Sequence, residues 1–139
     1  FKNFMERETL LKMLLKGYSK KEIAKKLNKS EVAIRKKIQK LKKEKILLGF
    51  KPIINFKRAN LLYSITGIDV ESEKLIDILE KLKSYNEIFS IYLTSGDHTI
   101  IIEVIVDDIK ELENLHKKIS SIDGVKKVCP SILLDIIKV

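Results

Sequence analysis

Apolar positions in the first third of the chain recur every three or four residues, the spacing of helices packed on one side. In "MERETLLKMLLKG" the residues Leu10, Leu11, Leu14 and Leu15 form one stripe, and Gly17 predicts where it stops. "SKKEIAKKL" opens on Ser19, whose hydroxyl is expected to cap a second helix, with Glu22 three residues on completing a capping box. Ile23, Ala24 and Leu27 are its inward positions. After "NKS", Ser30 is expected to cap a third helix with Ile34, Ile38 and Leu41 facing inward. Beyond Lys45, "ILLGFKPIINF" has two short apolar runs around "GFKP", which predict a strand pair, the wing of the module.

Two helices joined by a three-residue turn, the first with a small residue in its second turn, predict a helix-turn-helix. Ala24 is small where the next helix must cross closely. Asn28 stands where the turn needs a left-handed backbone, which asparagine tolerates.

From Ala59 the rhythm changes. "LLYSITGID" reads as a strand, "SEKLIDILEKLKS" as a helix and "EIFSIYLT" as a strand; "TIIIEVIV", "IKELENLHKKISS" and "VKKVCPSILLDI" follow as strand, helix and strand. That order is β-α-β-β-α-β, the ferredoxin-like arrangement. The chain also repeats at a shift of 37, pairing Leu75 with Leu112, Ile78 with Leu115, Leu82 with Ile119, Ser84 with Ser121 and Ile88 with Val125. Helices on one face leave the other face of such a sheet bare. "TIIIEVIV" is apolar on both faces apart from Glu103, so a second subunit is expected to cover the bare face. The fold class is α+β: a winged helix-turn-helix domain, residues 1–58, then a ferredoxin-like domain, residues 59–139, expected to pair through its bare face.

Charge divides the chain at the same place. Residues 1–58 carry 19 basic and 5 acidic side chains, a net of +14; residues 59–139 carry 9 and 14, a net of −5. The concentration peaks between Lys20 and Lys45, with eleven lysines and one arginine against three glutamates. Such like charge repels itself unless phosphates replace the counterions, so the basic half is expected to meet double-stranded DNA. On the third helix, Ser30, Glu31, Arg35, Lys36, Lys37, Gln39 and Lys40 lie off the core stripe, with Lys42 and Lys43 at its end and Lys20 and Lys21 on the helix before. Arg can hydrogen-bond guanine, Gln can pair with adenine, and Lys can meet phosphate. Glu31 reads equally well as a first-turn acid favoured by the helix dipole.

Other chemistry finds little support. The single cysteine, Cys129, excludes an internal disulfide and a cysteine-based zinc site, and suits a reducing cytoplasm. His98 and His116 have no partner at metal-ligand spacing and are expected to be structural, so no metal or cofactor is expected. Asp107 and Asp108 are expected to cap the second helix of the sheet domain, and Pro130 to mark an edge strand. There is no Gly-rich phosphate loop, no nucleophile beside a base, and no apolar run near the ~18 residues of a membrane helix. A non-enzymatic, cytoplasmic protein without a membrane segment is expected. The start at Phe1, without Met or a signal-peptide core, suggests a few further residues upstream.

The strings themselves resemble a known family. "EIAKKLNKSEVAIRKKIQKLKKEKILLGF", "YLTSGDHTIII" and "IDGVKKVCPSILL" are similar to the DNA-binding segment, the effector turn and the last strand of the leucine-responsive/asparagine-responsive (Lrp/AsnC) transcription regulators, archaeal members above all. The resemblance implies a promoter-binding homodimer that can assemble into octamers, often represses its own gene, and takes an amino acid in crevices between dimers. It places Gly96, Asp97, His98 and Thr99 in the turn that lines this crevice. Glycine there lets a ligand approach backbone N–H groups, and Asp97 can accept from an α-ammonium group. Thr99 stands where many members carry a second aspartate. The plainer reading, in which Ser95-Gly96-Asp97 only shapes a hairpin, stays open beside it. So does an architectural role, wrapping DNA with little sequence preference.

Overall fold

The computed structural model describes residues 2–139, with side chains from Glu6 onward. It divides into two compact units, one running to Ile53 and one from Ile54 to Lys138.

Three helices build the first unit: α1 (Lys2–Leu15), α2 (Lys20–Leu27) and α3 (Glu31–Lys43). The expected serine caps are in place. Ser19 Oγ accepts the Glu22 N–H and Ser30 Oγ the Ala33 N–H, each at 3.1 Å, and such a cap is worth about 1 kcal/mol. All three helices end by one device. A left-handed residue, Gly17 (φ 89°), Asn28 (φ 54°) or Lys45 (φ 59°), turns the chain. The next N–H then reaches back five residues: Tyr18 to the Met13 carbonyl, Lys29 to Ala24, Ile46 to Leu41. Glycine and asparagine adopt this conformation readily, whereas Lys45 carries a steric cost of about 1–2 kcal/mol.

The enclosed core is Leu10, Ile23, Ala24, Ile34, Ile38 and Leu41, with Leu11, Leu14 and Leu27 partly buried against it. Leu15 departs from expectation and is 89% exposed. It lies roughly 140° round the helix from Leu10, outside the sector the two shorter helices cover.

The expected strand pair does not form: among the described residues between Glu44 and Leu61 there is no strand. Pro52 has no N–H to give a ladder, Leu48 is 88% exposed with no layer to cover it, and a lone two-stranded ribbon is marginal in water. Residues 55–61 instead close a turn. Asn55 Oδ1 accepts the Arg58 N–H at 3.1 Å, Asn60 is left-handed, and the Leu61 N–H reaches the Phe56 carbonyl. Phe56 then stacks on Tyr63, ring centroids 4.6 Å apart.

The second unit has the expected β-α-β-β-α-β order: β1 (Leu62–Val70), a short 3-10 turn, α4 (Leu75–Lys83), β2 (Ile88–Leu93), β3 (Ile100–Val106), α5 (Ile109–Ser120) and β4 (Val125–Ile132). The sheet runs β2-β3-β1-β4 and every pairing is antiparallel. Pro130 therefore sits on an edge strand, where its missing N–H does least harm. Ile78 and Leu82 of α4 and Leu112, Leu115 and Ile119 of α5 bury one face, against Ile68, Ile100, Ile102, Val104 and Val106. Asp108 caps α5 by accepting the Glu111 N–H at 2.9 Å.

The repeat at 37 is visible in atoms. Ser84 and Ser121 each end a helix, and each hydroxyl donates to the carbonyl three residues back, at 2.6 and 2.7 Å. On the helix-covered face the fully buried hydroxyls of Ser64 and Thr66 lie 2.8 Å apart, and Thr66 Oγ1 is 3.1 Å from His116 Nε2. Burial lowers the pKa of His116 below its ordinary value, so the ring is held neutral. The opposite face, with Ile65, Phe89 and Tyr92 exposed and Ile101 and Ile105 half-buried, carries no helix of this unit.

Candidate nucleic-acid interface and effector turn

The interface is built on α3, because its core stripe fixes which residues face away. At about 3.6 residues per turn, burying Ile34, Ile38 and Leu41 puts Val32, Lys36, Gln39 and Lys43 opposite, with Glu31 and Arg35 on one flank. Glu31, Val32, Arg35, Lys36, Gln39, Lys40 and Lys43 are all exposed, as are the cap Ser30 and, on α2, Lys20 and Lys21. The buried Ala24 lets α3 cross α2 closely.

Three of the expected lysines have partners within the module. Lys37 is half-buried and its Nζ donates to Glu6 Oε2 of α1 at 3.1 Å, so this cation ties α1 to α3. Lys42 sits 5.3 Å from the centre of the Phe50 ring, and Lys40 lies 3.9 Å from Glu44 one turn on. Val32, 54% exposed, joins this face, and its sequence signal is an apolar residue standing off the core stripe.

The second cluster is the turn between β2 and β3. The Thr94 N–H donates to the Thr99 carbonyl at 2.9 Å, and the Thr94 hydroxyl donates to the His98 carbonyl. Gly96 and Asp97 are exposed, while His98 and Thr99 are half-buried. His98 Nδ1 lies 2.8 Å from Asp69 Oδ1 on β1. Its ring rests on Gly67, where an added Cβ would stand 2.3 Å from His98 Cδ2. No local pattern marks Asp69 and Gly67, which are 29 and 31 residues from His98 and become its neighbours only when β1 pairs with β3.

Among the described residues no group of three His, Cys, Asp or Glu is placed to hold a metal ion. No helix among them is long and apolar enough to cross a membrane.

The family model of the Lrp/AsnC ligand binding domain matches residues 64–139. LrpA of Pyrococcus horikoshii, an HTH-type transcriptional regulator, is 43% identical over 119 residues, covering 84% of each chain. The chain belongs to the Lrp/AsnC family of transcriptional regulators. As a family member it is a DNA-binding transcription regulator and not an enzyme. The solved structure of AsnC from E. coli superposes with a TM-score of 0.67 at 25% identity, over 96% of this chain and 93% of that one. A transcriptional regulator of Neisseria meningitidis, solved as an L-Met complex, shares the fold at a TM-score of 0.63 and 13% identity, over 95% of this chain and 88% of that one. The Lrp/AsnC match thus carries the α+β architecture across nearly the whole chain.

Proposed function

We propose that the chain is a site-specific promoter-binding regulator that acts in the cytoplasm, represses its own gene, and responds to an amino acid. Residues 1–58 bind DNA and residues 59–139 sense and assemble. The observation that carries the reading is the outward face of α3: polar and basic side chains on a helix whose serine cap and three buried aliphatics hold it firmly. Arg35 and Gln39 read base edges, Val32 meets a thymine methyl group, and Lys36, Lys40 and Lys43 meet phosphates, helped by Lys20 and Lys21. Lys42 leans on Phe50 within reach of the same backbone, while Lys37 supports the helix from behind.

The uncovered sheet face is the dimer surface, since Ile65, Phe89 and Tyr92 would otherwise stand in water. Dimers of this kind assemble further, to an octamer. An amino-acid effector binds between dimers at the turn of Gly96, Asp97, His98 and Thr99, with Asp97 taking the ammonium group.

The test is affinity for the upstream region of the protein's own gene against random DNA, across a salt series. A preference of at least about a thousandfold at physiological salt supports site-specific regulation. Equal tight binding to both, with the same steep slope, replaces it with an architectural, DNA-wrapping role.

A further inference from the structure

His98 is held at two points, and one of them lies on another strand. Its carbonyl accepts the Thr94 hydroxyl at the base of the turn, and its Nδ1 meets Asp69 Oδ1 at 2.8 Å. The imidazole needs room to reach that carboxylate, and Gly67 supplies it: any side chain at 67 would collide with the ring. Gly67 and Asp69 alternate along β1, so both project to the uncovered face of the sheet. An ionised carboxylate only accepts hydrogen bonds, so Asp69 favours the ring form with its proton on Nδ1. The next two residues toward β2, Asp97 and Gly96, are exposed, and nothing stands within 4 Å of where a Gly96 Cβ would be.

We infer that Asp69 is the positioning residue of the effector turn. By holding His98 over Gly67 it fixes the backbone of residues 95–98 before a ligand arrives, so that Gly96 and Asp97 meet an amino acid in a ready shape. A turn ordered in advance spares the ligand the entropy of ordering it, which raises affinity without any added contact. The inference rests on the amino-acid reading of this turn, yet its first consequence, an ordered turn, can be observed without a ligand.

The experiment uses the full chain and the variants Asp69→Ala, Asp69→Asn and Gly67→Ala. Three readouts are taken: the ¹⁵N shifts of the His98 ring, backbone order parameters for residues 95–98, and calorimetric titration with each of the twenty standard amino acids. In the wild-type chain the ring is expected to carry its proton on Nδ1, and the turn to be as rigid as the strands, with order parameters of about 0.85. In Asp69→Ala and Gly67→Ala the ring signature is lost and the order parameters fall below about 0.6. The affinity for any amino acid that binds the wild type falls about tenfold. Asp69→Asn, whose side-chain oxygen still accepts, keeps most of all three. An unchanged ring signature or an unchanged turn in Asp69→Ala overturns the inference, as does a loosened turn with undiminished affinity. If none of the twenty binds the wild-type chain, the amino-acid reading fails, and positioning by Asp69 then stands or falls on the order parameters alone. Should Asp69→Ala not fold, Gly67→Ala decides by the same measures.

Discussion

The two units keep their polar groups on opposite sides of their cores. Among the described residues of the helical unit every enclosed side chain is apolar, and the basic groups of α2 and α3 lie outside the core. The sheet unit has the larger core, yet it buries two hydroxyls and turns a half-buried histidine toward them. A surface that meets a polyanion needs only a rigid helix and charge. A sensing unit needs groups whose neighbours come from several strands. The difference shows why one site can be built from local segments and the other cannot.

Core truncation should break the comparison most strongly. Ile34→Ala and Leu82→Ala each remove a fully buried side chain and should each cost about 2–5 kcal/mol, read as a shift of the denaturation midpoint. Among the described residues the apolar core of the helical unit has six buried side chains against eleven in that of the sheet unit, so Ile34→Ala should unfold its unit outright, while Leu82→Ala leaves the sheet folded at room temperature. Equal tolerance of both changes would mean that the helical unit draws stability from outside its own core.

The same contrast decides what could be read from sequence. Ser19, Asn28 and Ser30 announced the ends of α2 and α3, because caps and left-handed turns depend on residues a few positions apart. The repeat at 37 pairs Ser84 with Ser121, and the two hydroxyls close their helices in the same way. Lys45 gave no such notice, since lysine has no preference for the conformation it adopts there. The runs flanking "GFKP" looked like strands, but a strand needs a partner and a covering layer that the pattern alone does not guarantee. Asn55 and Asn60 marked the turn that formed beyond them and went unread. Asp69 and His98 were out of reach, because their meeting depends on the pairing of β1 with β3.

Acid should separate the units more gently. Both histidines of the chain lie in the sheet unit. The folded-state pKa of His116 is lowered by burial, so the unfolded chain takes up the proton first, near the ordinary value of 6.5. Stability therefore falls as pH drops through 6.5 toward the lower folded-state value, and is regained as pH rises. Melting followed from pH 7.5 to 5 should show this loss in the sheet unit, and His116→Gln should flatten it. A profile left unchanged by His116→Gln would assign the acid sensitivity to other groups.

The central claim is that the outward face of α3 reads DNA sequence. Its most direct test is the affinity of Arg35→Ala for the preferred operator and for random DNA, measured side by side at one salt concentration. Base reading by Arg35 should show as a loss of about 1–3 kcal/mol on the operator, relaxed preference at one base pair, and a much smaller loss on random DNA. Equal losses on both would make Arg35 a phosphate contact and contradict base reading by this face.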